Sequence, residues 1–161
     1  MTDRKDTIMK YEDYVNARQK EVNELPLFFA FSNEQLEKHL QERNATIKDI
    51  YKLGDTGGFY LKKDAPIIRA YFGKKDDLLD LMKDEEFAVD AFYYEMCNHE
   101  YGINWQGDWD VCNCFTRGEP DYGEQKSFAD YLTEAGMAWL IPAYSKAQTQ
   151  YWEAAEKYEW F

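Results

Sequence analysis

Apolar and aromatic positions recur along the first part of the chain at helical spacing. Ile8, Tyr11, Tyr14, Val15, Val22 and Leu25, with Arg18 on the same stripe, fall three or four residues apart. That is one face of a 3.6-residue period, so it predicts a helix over about 8–25, with Thr7 as its N-cap and Pro26 as its stop. The pattern then changes. "LPLFFAF" is continuously apolar and too short for a helix of its own, which predicts a buried strand. "SNEQ" follows as a capping box, in which Ser32 accepts from the Gln35 amide and the Gln35 side chain reaches back. Leu36 and Leu40 form the apolar face of that helix, and His39 lies among polar neighbours as a surface histidine.

Period-two alternation takes over at Ile47, Asp49, Tyr51 and Leu53 and resumes at Phe59 and Leu61. Between the two runs "GDTGG" supplies the backbone freedom of a tight turn, so the segment predicts a hairpin. The glycines do not read as a phosphate cradle, because a P-loop needs a Lys-Ser/Thr pair and a following helix. Helical patterns then return. "APIIRAYF" is capped by Asp64 and stopped by Gly73, and "KKDDLLDLM" is a short acidic amphipathic piece. A longer helix is capped by Asp84, with Phe87, Ala91, Phe92 and Met96 as its core stripe. Past Gly102 the period weakens. "INW" predicts a short strand, "DWDVCNCF" an edge strand or one helical turn, and "TRGEPDYGEQK" a surface loop. Ser127 caps "FADYLTEAG". A last helix over about 141–160 carries Tyr144, Ala147, Tyr151, Ala154 and Tyr158 as its buried stripe. The fold class that follows is α+β in a single domain, 1–161. Five or six helices surround a small antiparallel sheet built from 27–31, 47–53 and 58–62, with 103–105 as a further candidate strand.

Composition changes this picture in two ways. The chain is 45% hydrophobic and 17% aromatic, enough for a real core. No run approaches the roughly 20 apolar residues of a membrane span, and the charged start lacks a secretory h-region. With three cysteines and no such signal, reduced thiols in a cytoplasm are expected rather than a disulfide framework. The net charge of −12 is also unevenly placed. Residues 1–73 hold 12 basic and 12 acidic side chains, and residues 125–161 hold 3 and 5. Residues 74–124 hold 4 basic and 14 acidic ones. A field of that sign repels nucleic acid and anionic membrane and attracts basic surfaces or cations. The partner-binding candidates are therefore Asp76, Asp77, Asp80, Asp84, Glu85, Glu86, Asp108 and Asp110. If Asp76, Asp80 and Asp84 sat on successive helical turns, their charges would lie about 5–6 Å apart, comparable with phosphates along a duplex strand. That spacing suggests nucleic-acid mimicry directed at a basic channel.

Chemistry is concentrated in "MCNHEYGINWQGDWDVCNCF", residues 96–115, which holds every cysteine of the chain. Cys97, His99, Cys112 and Cys114 are the right ligand types for structural zinc, the one cofactor the sequence suggests. Their spacing argues against it. C-x-H and C-x-C wrap an ion poorly, and on a helix residues two apart point about 200° from each other. "HEYGI" is not the H-E-x-x-H of a metalloprotease helix. A Cys-His nucleophile could pair His99 with Cys112 or Cys114, and Asp108 with Asp110 beside Trp105 and Trp109 could imitate a glycosidase cleft. Neither has local support in so small a domain. The reading preferred here is a structural junction in which Trp105, Trp109 and Cys112 contribute to packing.

Three stretches, "NELPLFFAFSNEQ", "GDTGGFYLKKDAP" and "AFYYEMCNHEYGINW", resemble a group of uncharacterised small acidic proteins of conjugative elements and prophages in low-GC Gram-positive bacteria. The resemblance carries no activity, so no functional residue transfers. It implies a setting, since accessory proteins of mobile DNA often counter restriction or CRISPR systems, or serve transfer. The expected function is a non-enzymatic acidic interaction protein, an anti-defence inhibitor in its sharpest form, that binds a basic nucleic-acid-binding surface. The alternative is a zinc-binding or small enzymatic protein centred on 97–114.

Overall fold

A computed structural model describes residues 9–74, 76–117 and 126–161. The helices are α1 (Tyr11–Asn23), α2 (Asn33–Glu42), α3 (Ala65–Phe72), α4 (Leu78–Leu81), α5 (Glu85–Asn98), α6 (Gly107–Thr116), α7 (Phe128–Glu134) and α8 (Ile141–Lys157). The strands are β1 (Phe28–Phe29), β2 (Ile50–Leu53) and β3 (Gly58–Leu61). The fold is α+β and dominated by helices, as the sequence predicts, with more helices among the described residues than expected. The Thr7 cap and the loop over 118–125 lie outside the described residues.

The described residues divide into two compact units, one of residues 9–17 with 76–117 and 126–161, the other of residues 18–74. In the second unit the three strands form one antiparallel sheet in the order β1-β3-β2. Phe28 faces Phe59 across one ladder, and Ile50 faces Leu61 across the other. The hairpin is therefore as predicted, although Ile47–Asp49 forms a 3-10 turn rather than the start of a strand. A small core of Phe28, Ala30, Ile50, Ala65 and Ile68 is buried here. The Arg43 guanidinium lies 4.1 Å from the centre of the Phe28 ring, a cation–π contact. Ser32 caps α2 by accepting from the Gln35 amide at 3.2 Å, and the Gln35 side chain reaches one residue further back than predicted, to the Phe31 amide at 2.8 Å.

The hairpin turn depends on Gly57, whose φ of 81° lies in the left-handed region. A side chain there would meet the Phe31 ring. That ring is largely exposed and can move, so the backbone term decides the cost. Gly57→Ala is expected to destabilise the protein by about 1–2 kcal/mol, the usual left-handed penalty of an L-residue. Urea denaturation would measure it, and an unchanged midpoint would show that the turn relaxes freely.

In the first unit, α5 supplies the centre of the core. Phe87, Ala91, Phe92 and Met96 are all buried, as its period predicts. Asp84 caps it by accepting from the Glu86 and Phe87 amides. The α8 stripe holds at Tyr144, Ala147 and Tyr151 and then turns to Ala155, while Tyr158 is exposed. On a 3.6-residue helix a strict 3–4 stripe drifts about 20° per seven residues, roughly 40° from Tyr144 to Tyr158. Residues 103–105 form a turn, not a strand, and "DWDVCNCF" lies within the ten-residue α6. Asn104 stabilises that turn: its side-chain carbonyl accepts from the Gln106 amide, and its amide group donates to the His99 carbonyl. No described helix is long and apolar enough to cross a membrane.

Candidate functional site

The acidic candidates fall into two groups. Asp77, Asp80, Asp84, Glu85 and Glu86 are exposed. Asp80 pairs with Lys83 at 3.1 Å, and Glu85 pairs with Lys146. Asp76, Asp108 and Asp110 are structural acceptors. Asp76 accepts from the Tyr14 hydroxyl and from the Leu78 amide, each at 2.9 Å, and pairs with Arg117. Successive helical turns bearing Asp76, Asp80 and Asp84 do not exist. The helix between them, α4, is a single turn, Asp76 precedes it and Asp84 caps the next helix.

Asp108 sits in the first turn of α6, where the helix dipole favours a carboxylate. The Tyr144 hydroxyl donates to it at 2.8 Å, and the Tyr101 hydroxyl donates to the same oxygen. Gln148 donates to the Tyr101 oxygen at 2.7 Å. Burial first, and then the nearby Cys112 and Asp108, push the Tyr144 hydroxyl far above the ordinary tyrosine range. Asp110 accepts from Asn104 at 2.8 Å. Asp108 and Asp110 lie two apart on one helix, so they point about 200° from each other and do not flank one bond. That removes the glycosidase geometry.

The four residues considered for zinc are split by the same rotation. Cys97 is exposed, and Cys112 is buried on another face beside Asp108 and Tyr144. His99 and Cys114 come together instead, with Cys114 Sγ 3.4 Å from His99 Nε2. The third member is Glu95, one turn before His99 on α5. The ligand-type atoms of Glu95, His99 and Cys114 all lie within 4.8 Å of one another. Glu95 is only 8% exposed. It accepts from the Tyr11 hydroxyl at 3.3 Å and from the Asn98 side-chain amide at 3.4 Å. Cys114 Sγ also donates to the Asp110 carbonyl at 3.3 Å.

This cluster does not have the electrostatics of a cysteine nucleophile. Burial, and after it the Glu95 carboxylate, push the Cys114 thiol well above the ordinary cysteine range. A catalytic thiolate needs the opposite shift. Of the expected junction residues, Cys112 is fully buried and Trp109 packs half-buried against the core, while Trp105 is 71% exposed and is not core. Glu95 and Tyr11 were not among the sequence candidates. The Glu95-x3-His99 spacing, which puts two ligand types on one helical face, is the signal that points to the first.

Over residues 10–112 the sequence matches a family of unknown function (DUF7659). Neither the curated proteins nor the solved structures contain a match to it.

Proposed function

We propose, for a chain that belongs to the DUF7659 family of unknown function, a non-enzymatic role in which exposed carboxylates of the first unit bind a partner protein with a basic surface. The observation that carries this reading is the run from Asp76 to Glu86, with six carboxylates against one lysine. Five of the six, Asp77, Asp80, Asp84, Glu85 and Glu86, are exposed. Lys83 and Lys146 offset part of that charge, and the remainder leaves a negative surface that steers cationic partners. A nucleic-acid-binding enzyme of a cytoplasmic restriction or CRISPR system is the partner class we favour. The sign of the surface supports it, as does the resemblance to acidic proteins of conjugative elements and prophages. The loss of a regular carboxylate ladder favours a charged docking surface over close imitation of a phosphate backbone.

The test leaves Asp76 and Asp84 intact, because both hold local structure. A variant combining Asp77→Asn, Asp80→Asn, Glu85→Gln and Glu86→Gln is compared with the wild type as bait in host lysate at low and high salt. Proteins captured by the wild type at low salt should be lost both at high salt and with the variant, since steering between exposed charges is screened by salt. Equal capture by a folded variant at low salt refutes the reading.

A further inference from the structure

We propose that Glu95, His99 and Cys114 form a zinc-binding site that takes one ion and keeps a fourth position open to water. The placement follows from helix geometry. Glu95 lies in the last turn of α5 and His99 caps that helix four residues on, so their side chains meet on one side of its end, and α6 brings Cys114 against them. Zinc bonds of about 2.3 Å to sulfur and about 2.0–2.2 Å to nitrogen or oxygen, at tetrahedral angles, set neighbouring ligand atoms roughly 3.3–3.6 Å apart. Cys114 Sγ and His99 Nε2 are already 3.4 Å apart. The carboxylate, within 4.8 Å of both, closes the triangle by a small side-chain rotation. One imidazole, one thiolate and one carboxylate make a borderline-soft set that suits zinc better than magnesium or calcium. Three protein ligands with a free fourth position is the open type of zinc site.

The surroundings also fit a cation. Glu95 is a nearly buried carboxylate that the Cys114 thiol faces, and its donors Tyr11 and Asn98 are both neutral and both at long distance. A divalent ion supplies the positive charge that neither donor carries. Tyr11 then acts as the outer-shell group that orients the Glu95 ligand, the common arrangement around protein-bound metals. His99 and Cys114 are half-buried, which leaves an entry path for the ion. On binding, the Zn–S bond forms as the Cys114 S–H bond breaks. The proton leaves to solvent, and the hydrogen bond to the Asp110 carbonyl is given up. This set is not the one considered from the sequence, because Cys97 and Cys112 take no part.

The full chain, purified without a metal-affinity tag, is titrated with zinc against a chromophoric chelator, and separately with cobalt. We expect one equivalent of zinc and a thiolate-to-cobalt charge-transfer band. Cys97→Ser should leave both unchanged. His99→Ala and Cys114→Ser should each weaken zinc binding by more than about 100-fold, beyond what outer-shell changes cost, and Cys114→Ser should abolish the band. Tyr11→Phe should weaken binding by about 10–100-fold. Circular dichroism checks that each variant is folded. If the ligand variants unfold, the cobalt band of the wild type and of Cys97→Ser decides. Its absence, substoichiometric zinc, or a band lost in Cys97→Ser but kept in Cys114→Ser overturns the proposal.

Discussion

Replacing Phe92 with alanine is expected to destabilise the first unit by about 3–5 kcal/mol, the usual cost of emptying a buried aromatic site. Phe92 has no exposed surface. Its ring meets Phe115 edge-on at 4.8 Å between centroids and Tyr144 at 4.9 Å, so one side chain joins α5 to both α6 and α8. Each such aromatic pair is worth about 0.5–1.5 kcal/mol beyond the area it buries. The three helices hold one another in place, so they cannot collapse into the space the ring vacates without breaking other contacts. Phe92→Leu keeps most of the volume and should cost less than half as much. Urea denaturation with an unchanged slope would give both values. A loss below about 1 kcal/mol for Phe92→Ala would mean that the junction repacks.

Asp108→Ala is expected to cost about 2–4 kcal/mol, because it strands two tyrosine donors, one of them with no water to turn to. Tyr144 has no exposed surface, and its hydroxyl gives its proton to Asp108. Tyr101 gives its own to the same oxygen. A buried polar group left without a partner costs about 1–3 kcal/mol, more when the lost partner is charged. Tyr101 suffers less, since it is only half-buried and its hydroxyl can turn to water. The discriminating measurement is a double-mutant cycle with Tyr144→Phe, which removes the stranded donor. The double variant should be less destabilised than the sum of the singles by about 1 kcal/mol or more. Strict additivity would show that the two groups do not act through this hydrogen bond. Asp108→Asn retains an acceptor and should fall between the wild type and alanine.

Much of the candidate site is legible one residue at a time but not as a constellation. The negative charge of residues 76–86 is plain in the sequence, yet its division of labour is not. Asp76 and Asp84 are spent on local amides and Asp108 on two tyrosines, because a carboxylate near a helix start satisfies donors that would otherwise stay unpaired. Trp109 shows the same limit. Full burial would give it an alanine cost like that of Phe92, but it is only half-buried, so its loss should cost less.

The sequence by itself determined what depends on neighbours within a few residues: the core stripe of α5, the caps at Ser32, Asp84 and Ser127, and the glycine turn between β2 and β3. Side-chain period and capping chemistry are local, so these can be read without a fold. It also determined that Cys97 and His99, two apart at the end of a helix, point away from each other. Only the tertiary structure decided which of the two, and which of Cys112 and Cys114, would meet. Each residue of α5 and α6 turns the helix by about 100°, and the packing of one helix on the other selects the face that is shared. That choice turns Cys97 to solvent and Cys112 into the core, and it sets His99 and Cys114 beside a glutamate one turn away.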